Sequence, residues 1–181
     1  MAARSIRKAA TAAPRWLSDE EQQAWIAVAH LVLQLPGALD TQVQRDSGIN
    51  LFEYLVLSRL SMAPDRTLRM SELSELAGGS PSRLSNVIKR LEQRGFVRRE
   101  PDPGDGRYTN AILTQPGWRK VVAAAPGHVA AVRHLVLDPL VPTQITALGE
   151  IGELLRTHLR NYLRGECGSA AAHQIEDGTG C

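Results

Sequence analysis

Apolar residues recur at helical spacing through most of this chain, and the gaps between the runs carry turn chemistry. Ser18 with Glu21 three residues later makes a capping box. Trp25, Ile26, Ala29 and Leu33 then form one stripe, which predicts a helix from Ser18 to about Val43. Pro36-Gly37 predicts a kink or short break within it. A second helix is predicted over 51–61, with Phe52, Leu55, Leu57 and Leu60 for the core. It closes at Ala63-Pro64, because the residue before proline avoids helical angles. Residues 67–70 read as a short extended link.

The next stretch is the most structured in its signals. A short helix opens at Ser71, with Leu73, Leu76 and Ala77 inside, and ends at Gly78-Gly79, a left-handed cap. Ser80-Pro81 starts another helix at once, as N-cap and first-turn residue. Over 81–94, Leu84, Val87, Ile88 and Leu91 fall at i, i+3, i+4 and i+7 and form a buried stripe. At about 100° per residue, Ser82, Asn86, Lys89 and Gln93 point away from it, with Arg83, Ser85 and Arg90 on the flanks. Gly95 ends the helix. Two β-prone runs, 96–100 and 108–113, then enclose a turn-rich segment in which Gly104 and Gly106 supply the turn angles and Arg107 sits near the tip.

Two more helices follow. One is predicted over 115–137, bent or split at Pro126-Gly127, with Val121, Val122, Val129, Val132 and Leu135 apolar. The other, over 143–163, aligns Ile145, Leu148, Ile151, Leu155, Leu159 and Tyr162. Together with the first helix they carry more apolar surface than a small winged domain covers. That predicts packing across a two-fold axis, with a monomeric helical bundle as the competing reading. The expected organisation is a flexible basic arm over 1–17, a central unit over 18–164 and a disordered tail over 165–181. Within the central unit a winged helix-turn-helix spans about 51–114, and dimerisation helices span about 18–45 and 115–164. The fold class is mainly α: a winged helix-turn-helix domain with a small β-hairpin wing, flanked by N- and C-terminal dimerisation helices.

Charge sharpens this picture. The whole chain of 181 residues carries +2. Between Ser80 and Glu100, six basic side chains face two acidic ones, a local excess of four. A basic field confined to one helix and the strand after it fits a phosphate-facing surface. The major groove admits one helix, whose side chains meet distinguishable base edges there. Asn86 suits a bidentate pair with adenine, and Arg83 or Arg90 with guanine. Ser82 and Ser85 are short enough for close approach and phosphate bonding, and Lys89 is a compact charge suited to phosphate. Arg107 at a hairpin tip is narrow enough for a minor groove, with Asp105 two residues earlier to brace it; a solvated surface ion pair is the bland alternative.

These residues resemble the MarR family of bacterial transcriptional regulators. The likeness is carried by Ser80-Pro-Ser-Arg-Leu-Ser85, by Lys89-Arg-Leu-Glu-Gln-Arg-Gly-Phe-Val97, by Asp102-Pro-Gly-Asp-Gly-Arg107 and by the Leu113-Thr114 that opens the next helix. It extends in element order from about Ser18 to Leu163. The resemblance implies a homodimer on a pseudo-palindromic operator in double-stranded DNA, usually as a repressor. It also implies release by a small aromatic or phenolic effector bound between the dimerisation helices and the DNA-binding lobe. The chain departs from the peroxide-sensing members, since it has no cysteine before Cys167.

For an effector, Trp25, His30, Tyr54 and His128 are the side chains able to line a cavity, with plain core or interface packing as the alternative. Cys167, His173 and Cys181 are too widely spaced and too few for a structural zinc site, so no metal and no cofactor are expected. There is no phosphate-binding glycine loop, no His-Glu-x-x-His and no Gly-x-Ser-x-Gly, which argues against an enzyme. The N-terminus is basic without an apolar core segment and no run approaches a bilayer span, so a soluble cytoplasmic protein is expected. An architectural or protein-interaction winged helix, without a sequence-specific operator, is the other functional class.

Overall fold

The computed structural model describes residues 14–163. Most of the arm, and the tail with Cys167, His173 and Cys181, lie outside the described residues. The chain forms helix α1 (Asp19–Ser47), α2 (Leu51–Met62), strand β1 (Thr67–Arg69), α3 (Met70–Ala77), α4 (Pro81–Gln93), β2 (Val97–Pro101), β3 (Thr109–Leu113), α5 (Gln115–Val132) and α6 (Pro142–Leu163). A 3-10 turn, Pro64–Arg66, precedes β1, and a π-helical turn, Arg133–Leu137, extends α5.

Capping chemistry sets most of these boundaries. Ser18 and Asn50 each form a reciprocal capping box, with Glu21 and Glu53. Ser80 accepts from the Arg83 amide, and Thr114 from the Gly117 amide. Gly48 and Gly78 close α1 and α3 in the left-handed region, at φ 60° and 67°, where a β-carbon would be strained.

The core lies between α2, α3, α4 and the sheet, and α5 closes it. Ile49, Leu57, Leu60, Leu73, Leu84, Ile88 and Leu91 are its largest fully buried side chains. All four expected stripe residues of α4 are buried. Thr114 joins the wing to this core: its hydroxyl donates to the Gly95 carbonyl at 2.7 Å while capping α5. Gly117, one turn into α5, leaves room for the Phe96 carbonyl, which a β-carbon there would overlap.

Several expectations are corrected. Helix α1 runs through Pro36 without the short break, and α5 runs through Pro126 without a split, so of each pair of expectations only the interruption is excluded. Each proline removes the bond to the carbonyl four residues back. Those residues, Val32 and Val122, lie on exposed turns of their helices rather than in the core. The irregularity of α5 falls later, in the π turn. The link at 67–69 is a strand: β1 pairs antiparallel with β3, giving the sheet order β1-β3-β2 rather than a bare hairpin. Leu76, expected inside, is exposed.

Helix α6 has no buried residue, and Ile145, Leu148, Ile151, Leu155, Leu159 and Tyr162 are all at least 40% exposed. On α1, Trp25, Ile26, Leu31, Val32 and Leu33 are exposed as well. No helix among the described residues is long and apolar enough to cross a membrane.

Candidate nucleic-acid interface

The polar face of α4 is what its apolar stripe leaves over. With Leu84, Val87, Ile88 and Leu91 inward, Ser82, Arg83, Ser85, Asn86, Lys89 and Arg90 are all exposed. Their heads are not equally available. Arg83 stacks on the Phe52 ring, 4.3 Å from its centroid, and Arg90 Nε lies 3.3 Å from Glu53. Glu53 is buried, and it also pairs with Arg94 at 3.5 Å and accepts from the Asn50 amide. Both flanking arginines are thus turned toward α2. Asn86, Lys89 and Ser85 make no side-chain bond among the described residues. Ser82 shares only a hydroxyl contact with Ser80 at 3.1 Å.

The wing tip is shaped by carboxylates. Gly104 and Gly106 lie in the bend and turn of the tip, neither of them in the left-handed region. Asp102 Oδ1 accepts from the Gly104 and Asp105 amides at 2.9 and 3.1 Å. Its other oxygen accepts from Arg69 Nε at 3.0 Å and from Asn110 at 3.3 Å. Asp105 repeats the device one step on. It accepts from the Arg107 amide, and takes the guanidinium through Nε at 3.0 Å and Nη2 at 2.7 Å. Arg107 remains 85% exposed, so the brace orients the head without burying it.

The electrostatics follow from these bonds. The Arg69 guanidinium, helped by the Gly104 amide, holds the Asp102 carboxyl down to about 2. Arg107 lowers Asp105, and Asp105 in turn raises Arg107. A carboxylate whose folded pKa is depressed stabilises the fold above its unfolded pKa of about 4, and that contribution is lost as pH falls through the folded value. Acid unfolding of Asp102→Asn should therefore show a shallower loss of stability between pH 4 and pH 2 than the wild type. Parallel curves would mean that the Arg69 contact is not formed in solution.

The helix face and the wing tip border one space. A concavity between them is lined by Ser85 of α4 together with Arg107, Tyr108 and Thr109 of the wing. A larger open cleft of about 880 Å³ lies on the other side of α4. It runs between α1 (Pro36, Asp40, Gln44), the start of α2 (Asn50, Phe52, Leu55) and α4 (Arg83, Asn86, Arg90).

None of the four expected effector residues is among the lining of this cleft. Tyr54 and His128 are brought together, with ring centroids 4.4 Å apart. Burial lowers the His128 pKa, and its Nδ1 is buried with no hydrogen-bond partner among the described residues. Trp25 and His30 are exposed on α1. Sequence reasoning missed Glu53, Arg69 and Asp102 as organisers of this face. The spacing Asp102-x-Gly104 was the available signal, as a side-chain-closed turn.

Known proteins share this layout. A family model described as MarR family matches residues 47–107. Sco3205, a MarR family transcriptional regulator from Streptomyces coelicolor solved in complex with DNA, is 44% identical. Its TM-score is 0.75, over 80% of this chain and 91% of that one. AbsC, a MarR family regulator from the same organism, is 35% identical with a TM-score of 0.76, over 82% of this chain and 99% of that one. The transcriptional repressor Rv2887 of Mycobacterium tuberculosis is 33% identical over 97 residues, 54% of this chain and 68% of that protein. Some other curated relatives are matched over only about half their length, 51% and 53% in two cases. The winged helix-turn-helix, its arginine-tipped wing and these likenesses together place the chain in the MarR family of transcriptional regulators.

Proposed function

We propose that this protein is a homodimeric, sequence-specific DNA-binding repressor, released from its operator by a small aromatic or phenolic effector. The observation that carries the DNA reading is the shared face of α4 and the wing: Ser85 and Arg107 border one concavity, so the helix and the wing tip can address adjacent grooves of one duplex. In this reading Asn86 meets base edges, Ser82, Ser85 and Lys89 hold phosphates, and Arg107 enters the minor groove with Asp105 as its brace. Arg83 and Arg90 reach the groove only by leaving Phe52 and Glu53, so they act on guanine or phosphate after that exchange.

Dimerisation is supported by the exposed apolar faces of α1 and α6, which one chain leaves uncovered. Repression is supported by the likeness to a named repressor. Effector release is supported by the cleft between α1 and α4, where Leu55 and Phe52 offer apolar surface and Arg83 and Arg90 offer cationic heads. A ligand there competes with the α2 contacts that orient the recognition helix.

Asn86→Ala tests the assignment of α4. It should relax base preference, shrinking the ratio of operator to random-duplex affinity by about five-fold or more, with non-specific affinity nearly unchanged. Equal loss on every duplex would make Asn86 a positioning residue and move base reading elsewhere on the helix.

A further inference from the structure

The concavity between α4 and the wing has a volume of about 280 Å³ and a consistent chemistry. Its lining residues are three arginines, Arg69, Arg99 and Arg107, four hydroxyl-bearing residues, Ser71, Ser85, Tyr108 and Thr109, and Met70. Among the described residues no carboxylate belongs to its lining. The acids that pair with these arginines are Asp102 on Arg69 at 3.0 Å, Glu92 on Arg99 at 2.6 Å and Asp105 on Arg107 at 2.7 Å. All three stand outside the lining, so they brace the cations without filling the space between them. Arg69 is held a second way, with its guanidinium 4.6 Å from the centre of the Tyr108 ring. Braced cations and hydroxyl donors around an acid-free hollow form a seat for a tetrahedral oxyanion.

We propose that this hollow seats one phosphodiester of the DNA backbone, where the strand passes between the groove entered by α4 and the groove entered by the wing. Arg99, Tyr108 and Ser71, none of which faces a base in the reading above, are then positioning residues. The proposal rests on the DNA reading of α4 and Arg107. Location decides for DNA over a free anion: elements in adjacent grooves must straddle one sugar-phosphate strand, and the hollow lies between the two elements that do so. A phosphate held there fixes how deep the helix and the wing sit, without reading sequence itself.

The test uses a genomic fragment selected by the full-length protein, made as a set of duplexes each with one phosphate replaced by a neutral methylphosphonate. For the wild type, one position in each half-site should weaken binding about ten-fold. In Arg99→Gln the same replacement should cost less than about two-fold, and the salt slope should fall by about 0.9 for each subunit's lost contact. Tyr108→Phe keeps the ring on Arg69 and removes only the hydroxyl, so it reports on the seat even if Arg99→Gln folds poorly. It too should blunt the response at that position. The proposal is overturned if the wild type and both variants respond alike at every phosphate. It is also overturned if Arg99→Gln abolishes binding of inorganic phosphate while DNA binding is unchanged, which would make the hollow a free-anion site. Failure of the wild type to bind any duplex would be a different result: it sinks the DNA reading, and the seat falls with it.

Discussion

Arg substitution of Ile151 and Leu155 on α6 should convert the protein to monomers and remove measurable operator binding. These side chains are 54% and 53% exposed on a helix with no buried residue, so one chain gains nothing from their apolar character. Covered by a second copy, each would bury a large aliphatic group, worth about 1.5–3 kcal/mol by area. Charges placed on a two-fold interface meet their own copies and repel, so both the gain and the geometry are lost. A monomer holds one half-site instead of two, which lowers apparent affinity by about 10²- to 10⁴-fold. The winged lobe should survive, because Leu57, Leu60, Leu84 and Ile88 belong to a core to which α6 contributes no residue. Light scattering after size exclusion, with circular dichroism as the folding control, reads both effects. A variant that stays dimeric would move the interface elsewhere; a monomer that binds as tightly would remove the need for a dimer.

Arg107→Ala carries the second large effect. The guanidinium is 85% exposed and, among the described residues, held only by Asp105, which is itself on the wing, so its loss should hardly move the melting temperature. Its expected cost falls on DNA: operator affinity should drop about ten- to a hundred-fold, with a salt slope smaller by about one unit per wing. The loss should be greatest on A·T-rich flanks, where a narrow minor groove attracts an arginine most strongly. Asp105→Asn offers a second reading of the same device. It frees the guanidinium from its carboxylate and should raise affinity for random duplex relative to operator. An unchanged operator affinity in Arg107→Ala would take the wing out of the interface.

What the sequence made legible is what local chemistry decides. The stripe Leu84, Val87, Ile88 and Leu91 sets the facing of α4, because a side chain either fits the core or does not. Ser18 and Ser80 are readable as N-caps because their hydrogen bonds lie within their own first turns. Asp105 and Arg107 are close enough in sequence for their pairing to be read directly.

The rest depends on contacts distant in sequence. Three residues, Thr67–Arg69, are too few for an alternating pattern, and only pairing with β3 makes them a strand. Arg69 meets Asp102 across thirty-three positions, and Glu53 meets Arg90 across thirty-seven, so neither link could be drawn from spacing. Pro36 and Pro126 look like breaks in sequence but are tolerated, because the carbonyls they orphan belong to exposed turns. The expected aromatic set is divided for a related reason. Helical spacing places Trp25 and His30 on α1, but only the packing of α5 on α2 brings His128 to Tyr54 and leaves the other two outside.

The most direct test of the central claim is selection of bound fragments from the source genome by the purified full-length protein, at near-physiological salt, read by sequencing. A sequence-specific dimer predicts an enriched inverted repeat with half-sites centred about one helical turn apart, roughly 34–36 Å. Absence of any enriched sequence, with only weak and salt-sensitive binding to all fragments, would contradict it and leave an architectural or protein-interaction role.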